Sequence, residues 1–133
     1  MQELPWPLIL GLAATGVPMA LASSLIGMRQ WVEIPAWWVL YAIWVTVVLT
    51  TGVEAPFRTV LIASALAGTL HATTQSLLLD RYIRSNPWYA DRMQGPRTRL
   101  RAQFLISGVL IGTGFGALIG GIAWALRRWV LPA

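Results

Sequence analysis

The chain has 133 residues, of which 56% are apolar and only 11% are charged. Soluble domains usually carry about a quarter charged residues, so this composition excludes a soluble enzyme and a nucleic-acid-binding protein. The absence of Cys excludes disulfides, thiolate metal sites and thiol catalysis. A single histidine, His71, also excludes a metal site built from several imidazoles of one chain.

The positions of the charged residues predict the fold class. They leave four charge-free runs, each at least 20 residues long: Leu4–Met28, Ile34–Val53, Thr59–Leu79 and Ala102–Leu126. A helix needs about 20 apolar residues to cross the hydrocarbon core of a bilayer. We therefore predict an all-α integral membrane protein, a four-transmembrane-helix bundle in one membrane domain over residues 1–133. We expect a short interfacial helix in its third loop.

The first two predicted spans cover about residues 6–28 and 36–53. Pro18 lies in the middle of the first span and is expected to kink it, because proline removes a helical hydrogen bond. Arg29 to Pro35 is expected to be a tight connection (loop 1), so that the second span starts near Pro35 or Ala36.

The last two predicted spans cover about residues 57–80 and 99–126. A very short turn at Glu54 to Pro56 (loop 2) precedes the third span, and an interfacial loop over about 81–98 (loop 3) follows it. Within loop 3, Asn86 and Pro87 have the residue types of an N-cap and a first helical position. They predict a short helix that ends near Met93.

The arginine distribution predicts the orientation. Loops 1 and 3 share one side of the membrane and contain seven arginines, whereas the termini and loop 2 contain three. This bias predicts that loops 1 and 3 are cytoplasmic and that both termini are outside, in a bacterial cytoplasmic membrane. Most of the eight tryptophans are expected to form two interfacial belts, with only Trp44 lying deep.

The fourth span carries glycines at strict four-residue spacing, which would let another helix approach to backbone contact. The first span has small residues at the same spacing and is the expected partner within the chain. A homo-oligomer or a larger membrane complex is the alternative partner. The predicted helix-packing residues are Gly108, Gly112, Gly116, Gly120, Gly16, Ala20 and Ser24.

A polar stripe along the third span is the candidate ligand site, formed by Ser64, His71, Thr74 and Gln75. His71 is expected near the bilayer midplane, where an ionisable side chain is costly and is a functional candidate. It could bind haem or chlorophyll, contact a quinone or serve proton-linked transport, although no cofactor is required. The simpler interpretation is that neutral His71 hydrogen-bonds Ser, Thr or Gln on a neighbouring helix and stabilises the bundle.

Loop 3 is rich in arginine and aromatic residues, which predicts contact with anionic lipid headgroups. A docking surface for a cytoplasmic partner is the alternative. The residues concerned are Arg81, Arg84, Trp88, Tyr89, Arg92, Arg97, Arg99 and Arg101. Asp80 and Arg84 are four residues apart and are expected to pair if the third helix continues beyond the membrane.

The sequence contains no pattern typical of a catalytic or metal centre. Glu33 and Glu54 are placed on opposite membrane faces and cannot form an acid–base pair, so we expect no enzyme. The preferred hypothesis is an accessory or structural subunit of a larger membrane complex, held by glycine-zipper packing. The alternatives are a homo-oligomeric transporter or channel that uses the polar stripe, and a cofactor- or quinone-binding subunit with His71.

Overall fold

The computed structural model describes residues 3–130, which are 84% helical and contain no strand. The helices follow one another along the chain with short connections. They are α1 Trp6–Ala14, α2 Gly16–Leu25, α3 Gln30–Thr50, α4 Pro56–Leu77, α5 Leu79–Ser85, a 3-10 helix Pro87–Arg92, and α6 Arg97–Trp129.

Three helical segments of the described chain are long and apolar enough to cross a membrane. They are Trp6–Leu25 (α1 with α2), Gln30–Thr50 and Arg97–Trp129. The third predicted span, α4, has 22 residues but contains no stretch as apolar as those of these three segments. Helix α4 packs against α1, α2, α3 and α6 and buries polar side chains such as Ser64 and Gln75 against them. A helix covered by protein in this way needs fewer apolar residues than a lipid-exposed helix.

The first span is interrupted at Thr15, which separates α1 from α2. Pro18 explains the position, since it has no N–H to donate to the carbonyl of Ala14 and its ring crowds that carbonyl. The next bond, from Met19 N to Thr15 O, is long at 3.5 Å, and the Thr15 hydroxyl donates to Leu12 O at 2.6 Å. The interruption predicted from Pro18 therefore lies one turn before the proline.

The second span begins six residues earlier than its predicted start at residue 36. Helix α3 starts at Gln30 and includes Pro35. Pro35 is the sixth residue of α3, so it removes a single helical hydrogen bond, the one to Trp31 O, close to the start of the helix. The tight connection is limited to Gly27–Arg29, and Glu33 belongs to the first turn of α3 instead of loop 1.

The glycines of α6 pack on α4, so the prediction that the first span is their partner is wrong. A Cβ on Gly112 would lie 2.6 Å from Ser64 O, and one on Gly120 would lie 2.8 Å from Phe57 O. The backbones of α4 and α6 thus touch, and Gly68 of α4 meets Gly108 and Gly112 across the interface. Such contact without intervening side chains is how helices associate closely in lipid.

The small residues of the first span also pack against α4, on another side of it. Gly16 lies against the Ala67 backbone, and both Ala20 and Ser24 are fully buried. Helix α4 is therefore the central helix of the bundle. The core around it includes Ile9, Trp44, Val48 and Val60, and Trp44 is the largest fully buried side chain, 1% exposed.

Asn86 joins loop 3 to the end of α2, which corrects its predicted role as an N-cap. Its side chain makes no cap to the following 3-10 helix and is 1% exposed. The Asn86 amide nitrogen donates to Ser23 O and Tyr82 O, each at 2.8 Å, and its oxygen accepts from Met28 N at 3.0 Å. One side chain thereby holds three backbone segments together.

Two further contacts define the ends of the bundle. Arg29 lies over the Trp88 ring at 5.1 Å, so loops 1 and 3 meet at one end. Arg127 donates to Val53 O, so the end of α6 meets loop 2 at the other. Asp80 was predicted to pair with Arg84, but its Oδ1 lies 2.9 Å from Nε of Arg97. The start of α6 places Arg97 next to Asp80.

Candidate functional site

A cavity of about 450 Å³ lies between α3, α4 and α6, in the half of the bundle nearer to loops 1 and 3. Its wall includes Tyr82 of α5 and side chains from one face of each long helix. The lining residues are Gln30, Glu33, Ile34, Trp37, Trp38, Tyr41, Gly68, His71, Ala72, Gln75, Tyr82, Phe104, Ser107, Gly108, Ile111, Gly112 and Phe115.

Six aromatic side chains form much of this wall. The Tyr41 ring is parallel to Phe115, with centroids 6.0 Å apart, and Trp38 meets Phe115 edge to face at 5.9 Å. Trp37 lies 5.8 Å from Tyr41 and 5.4 Å from the His71 ring. Trp37 and Tyr41 of α3 thus face the inside of the bundle.

The floor of the cavity is the α4–α6 interface itself. Gly68, Gly108 and Gly112 present backbone there, since no side chain projects from these positions. Aromatic side chains from α3 hold that helix away from the floor at this level. The cavity therefore results from large residues on α3 facing small residues on α4 and α6.

His71 and Glu33 form a polar pair in the cavity wall. Their side chains are 13% and 19% exposed, and His71 Nε2 lies 3.7 Å from Glu33 Oε1. On the other side of the ring, His71 Nδ1 lies 3.3 Å from Gly16 O. A carbonyl oxygen can only accept, so Nδ1 carries a proton, and Nε2 is the nitrogen that faces the carboxylate.

This pair corrects one expectation about His71. Its partners are a backbone carbonyl and a carboxylate, not the Ser, Thr or Gln side chain expected from the sequence. One partner, Gly16, lies in the middle of the first span, and the other, Glu33, lies in the first turn of α3. The expected position of His71 near the bilayer midplane remains a prediction.

Sequence reasoning missed Glu33 because it assigned this residue to a loop. The signal was present, since Glu33, Trp37, Tyr41 and Trp44 recur every three or four residues, which places them on one helical face. Reading the helix back through Pro35 would have revealed that face. Glu33 and Glu54 do lie at opposite ends of α3, so the exclusion of an acid–base pair between those two residues is unaffected.

The other residues of the predicted polar stripe have different roles. Ser64 is fully buried, donates to Gly112 O at 2.8 Å and is bonded to the Tyr41 hydroxyl at 2.8 Å. Gln75 lines the cavity and donates to Ser23 Oγ at 2.9 Å. Thr74 donates to Leu70 O of its own helix and does not line the cavity.

Tyr82 closes the cavity at the loop 3 end. It is 6% exposed and meets Phe104 edge to face at 5.3 Å. Burial raises the pKa of Tyr82 above its ordinary value, and the nearby carboxylate of Glu33 adds to this rise. The phenol is therefore uncharged at neutral pH.

The predicted headgroup-contact residues lie apart from the cavity, around loop 3 and the start of α6. All of them except Tyr89, which is partly buried, are exposed. Their contact with lipid remains a prediction. They are Arg81, Arg84, Trp88, Tyr89, Arg92, Arg97, Arg99 and Arg101.

Comparisons with known proteins add no assignment to this geometry. The chain matches no protein family, no curated protein and no solved structure.

Proposed function

We propose that this chain is a small, non-catalytic membrane protein that binds a lipophilic small molecule in the cavity between α3, α4 and α6. The cavity itself carries the proposal. Its volume of about 450 Å³ and its mainly apolar wall, to which six aromatic side chains contribute, with a few polar groups at one side, are typical of sites for small molecules.

The accessory-subunit hypothesis loses its main support. It depended on a glycine face available to a partner, but Gly112, Gly116 and Gly120 are buried against α4. The small residues of the first span are likewise covered by α4. These faces already have an occupant within the chain.

A channel along the polar stripe is also less well supported than a binding site. Ser64 and Gln75 are both hydrogen-bonded to other helices, and Thr74 is bonded to its own. Polar groups that are paired within the bundle form a framework, whereas a conducting path needs groups free to exchange partners.

His71 suits a quinone or a similar acceptor better than a haem or chlorophyll. Its Nδ1 is directed at Gly16 O, and its Nε2 has the Glu33 carboxylate 3.7 Å away, so no space remains above Nε2 for a macrocycle. A ligand carbonyl beside Glu33 and His71 remains compatible with the cavity, and it is one outcome of the test below.

The membrane topology belongs to the proposal as well. We place α4 as a fourth span, with loops 1 and 3 in the cytoplasm of a bacterial cell and the arginines of loop 3 on anionic headgroups. The charge-free run around α4 and the seven-to-three arginine distribution support it. Labelling of an introduced Gln94→Cys by a membrane-impermeant thiol reagent checks the orientation.

Binding of three aryl probes to the full chain in lipid nanodiscs tests the proposed function. The probes are tetraphenylphosphonium, neutral triphenylphosphine oxide and tetraphenylborate, with partitioning into empty nanodiscs subtracted. We expect saturable binding of at least one probe. Ser107→Phe should weaken it by about tenfold, because Ser107 lines the cavity and a ring there occupies ligand volume.

Thr113→Phe is the matched control, since Thr113 is also next to a glycine of α6 but is exposed and does not line the cavity. It should leave probe affinity unchanged. Absence of saturable binding for all three probes, or equal affinities of the Ser107→Phe variant and the native chain, contradicts the proposed function.

A further inference from the structure

The ionisable side chains of the cavity wall favour negative over positive charge. Among the described residues that line it, Glu33 is the only carboxylate, and none is Arg or Lys. A ligand carboxylate or phosphate would therefore find no cationic partner there. A ligand with a positive charge would find the carboxyl group of Glu33 in a mostly apolar space, where attraction between charges is stronger than in water.

The aromatic wall favours the same sign of charge. Aromatic rings carry negative potential on their faces, and cages of Trp and Tyr beside a carboxylate bind organic cations. Trp37 and Tyr41 follow Glu33 on the same face of α3, and Phe115 stands parallel to Tyr41 from α6. A bulky cation next to Glu33 can thus contact these rings as well as the carboxylate.

When no cation is bound, the Glu33–His71 pair has to hold one proton in addition to the Nδ1–H of His71. With Nδ1–H directed at Gly16 O, a neutral His71 presents the lone pair of Nε2 to Glu33 Oε1, 3.7 Å away. A lone pair and an ionised carboxylate repel each other at this distance. One proton on either group removes the repulsion and leaves the pair with no net charge.

We propose that the cavity binds a lipophilic organic cation, and that the cation replaces the proton held by Glu33 and His71. This inference rests on the proposed function and specifies its ligand. The charges balance in this exchange. Without a cation, Glu33 and His71 with the additional proton have no net charge. With the cation bound, ionised Glu33, neutral His71 and the cation together have no net charge either. The displaced proton leaves to water.

The other groups facing the pair do not take over this role. Tyr41 from α3 and Tyr82 from α5 are the other titratable side chains that line the cavity, and both are phenols bearing no charge at neutral pH. The first span contributes only the Gly16 carbonyl, and α6 contributes Ser107 and apolar side chains. The proton released on binding therefore comes from Glu33 and His71.

The affinities of the same three probes test the charge of the ligand. We expect tetraphenylphosphonium to bind at least about tenfold more tightly than triphenylphosphine oxide, and tetraphenylborate to bind least. If the neutral or the anionic probe binds as tightly as the cation, this inference is wrong while the proposed function stands. A preference for the neutral oxide would point to a carbonyl-bearing ligand such as a quinone.

The pH dependence tests the proton exchange. Release of one proton on binding means that affinity rises with pH, by up to about tenfold per pH unit while the free pair holds its proton. A weakly buffered titration with a pH indicator should detect one proton released for each tetraphenylphosphonium bound. Cation binding with no proton release and with an affinity independent of pH would overturn the exchange.

Glu33→Gln is the decisive variant, because it retains the shape of the side chain and removes its charge. It should lower tetraphenylphosphonium affinity by about tenfold or more and abolish proton release. Glu54→Gln is the matched control, since Glu54 is exposed and outside the cavity, and it should behave as the native chain. Equal heat stability of both variants excludes a loss of fold, and equal cation affinity would contradict the role of Glu33.

Discussion

Two of the neighbours of helix α4, α6 and α3, contact it in opposite ways. Against α6 it lies backbone to backbone, with Gly68 and Gly112 in contact and no space for an added methyl group. Against α3 it meets large side chains, among them Trp37 and Tyr41, and leaves a cavity of about 450 Å³. Since lipid provides no hydrophobic drive for helices to associate, residue size at each crossing decides how close two helices come. Small residues hold α4 and α6 in close contact, and large residues on α3 leave a cavity above them.

The largest expected effect comes from adding one methyl group to the close interface. Gly112→Ala places a Cβ 2.6 Å from Ser64 O and forces α4 and α6 apart. We expect a loss of about 3 kcal/mol in the free energy of unfolding, at the upper end for overpacking. Reversible unfolding in mixed micelles measures it.

Gly114→Ala is the control for that substitution, because a Cβ at Gly114 meets nothing within 4 Å. It should be neutral or stabilising by up to about 1 kcal/mol, since Ala favours helix over Gly. Equal effects of the two substitutions would show that the glycines of α6 are not in backbone contact with α4.

An intermediate effect is expected where a single side chain fixes the end of the bundle. Asn86→Ala removes two buried hydrogen bonds and one partly buried one, which leaves Met28 N without this partner. The expected loss in the free energy of unfolding is about 2 kcal/mol. Gln94→Ala, in the same loop but exposed, should change it by less than about 0.5 kcal/mol. Similar changes in the free energy of unfolding for both variants would show that the hydrogen bonds of Asn86 do not stabilise the bundle.

The smallest effect is expected on the side of α4 that faces α3 and the cavity. Tyr41→Phe removes the hydroxyl bonded to Ser64 and preserves the ring, while Ser64 continues to donate to Gly112 O. We expect a loss of about 1 kcal/mol in the free energy of unfolding, the usual net value of one hydrogen bond. A loss equal to that of Gly112→Ala would mean that the contact of α4 with α3 contributes as much to stability as its contact with α6. This result would contradict the difference between the two contacts.

Much of the architecture follows from local rules and was predictable. The charge-free runs locate all the long helices, and Pro18 predicts the interruption of the first one. The deep position of Trp44 is consistent with its full burial. These features depend on hydrophobic length and backbone chemistry, which a sequence states directly. Helix α4 is the exception in hydropathy, and it is also the helix that the other helices surround.

The candidate site was only half predictable. His71 was identified from the cost of placing an ionisable group in a membrane, but Glu33 was not, because its pairing depends on how α3 is rotated against α4. The same applies to the partner of the glycines in α6 and to the ion pair between Asp80 and Arg97. Relative rotation and order of helices are set by packing of the whole bundle, and no local pattern encodes them.

The length of α6 has a consequence for the membrane around the protein. Its 33 residues make a rod about 50 Å long, and the 25 charge-free residues Ala102–Leu126 alone span about 38 Å, against a hydrocarbon core of about 30 Å. A bilayer of ordinary thickness accommodates this surplus by tilt of the helix or by local thickening. Because the glycine contacts tie α6 to α4, tilt of one helix carries the other with it. Hydrophobic mismatch therefore acts on the α4–α6 pair as one body, and wherever the bilayer responds by tilt, both helices tilt together.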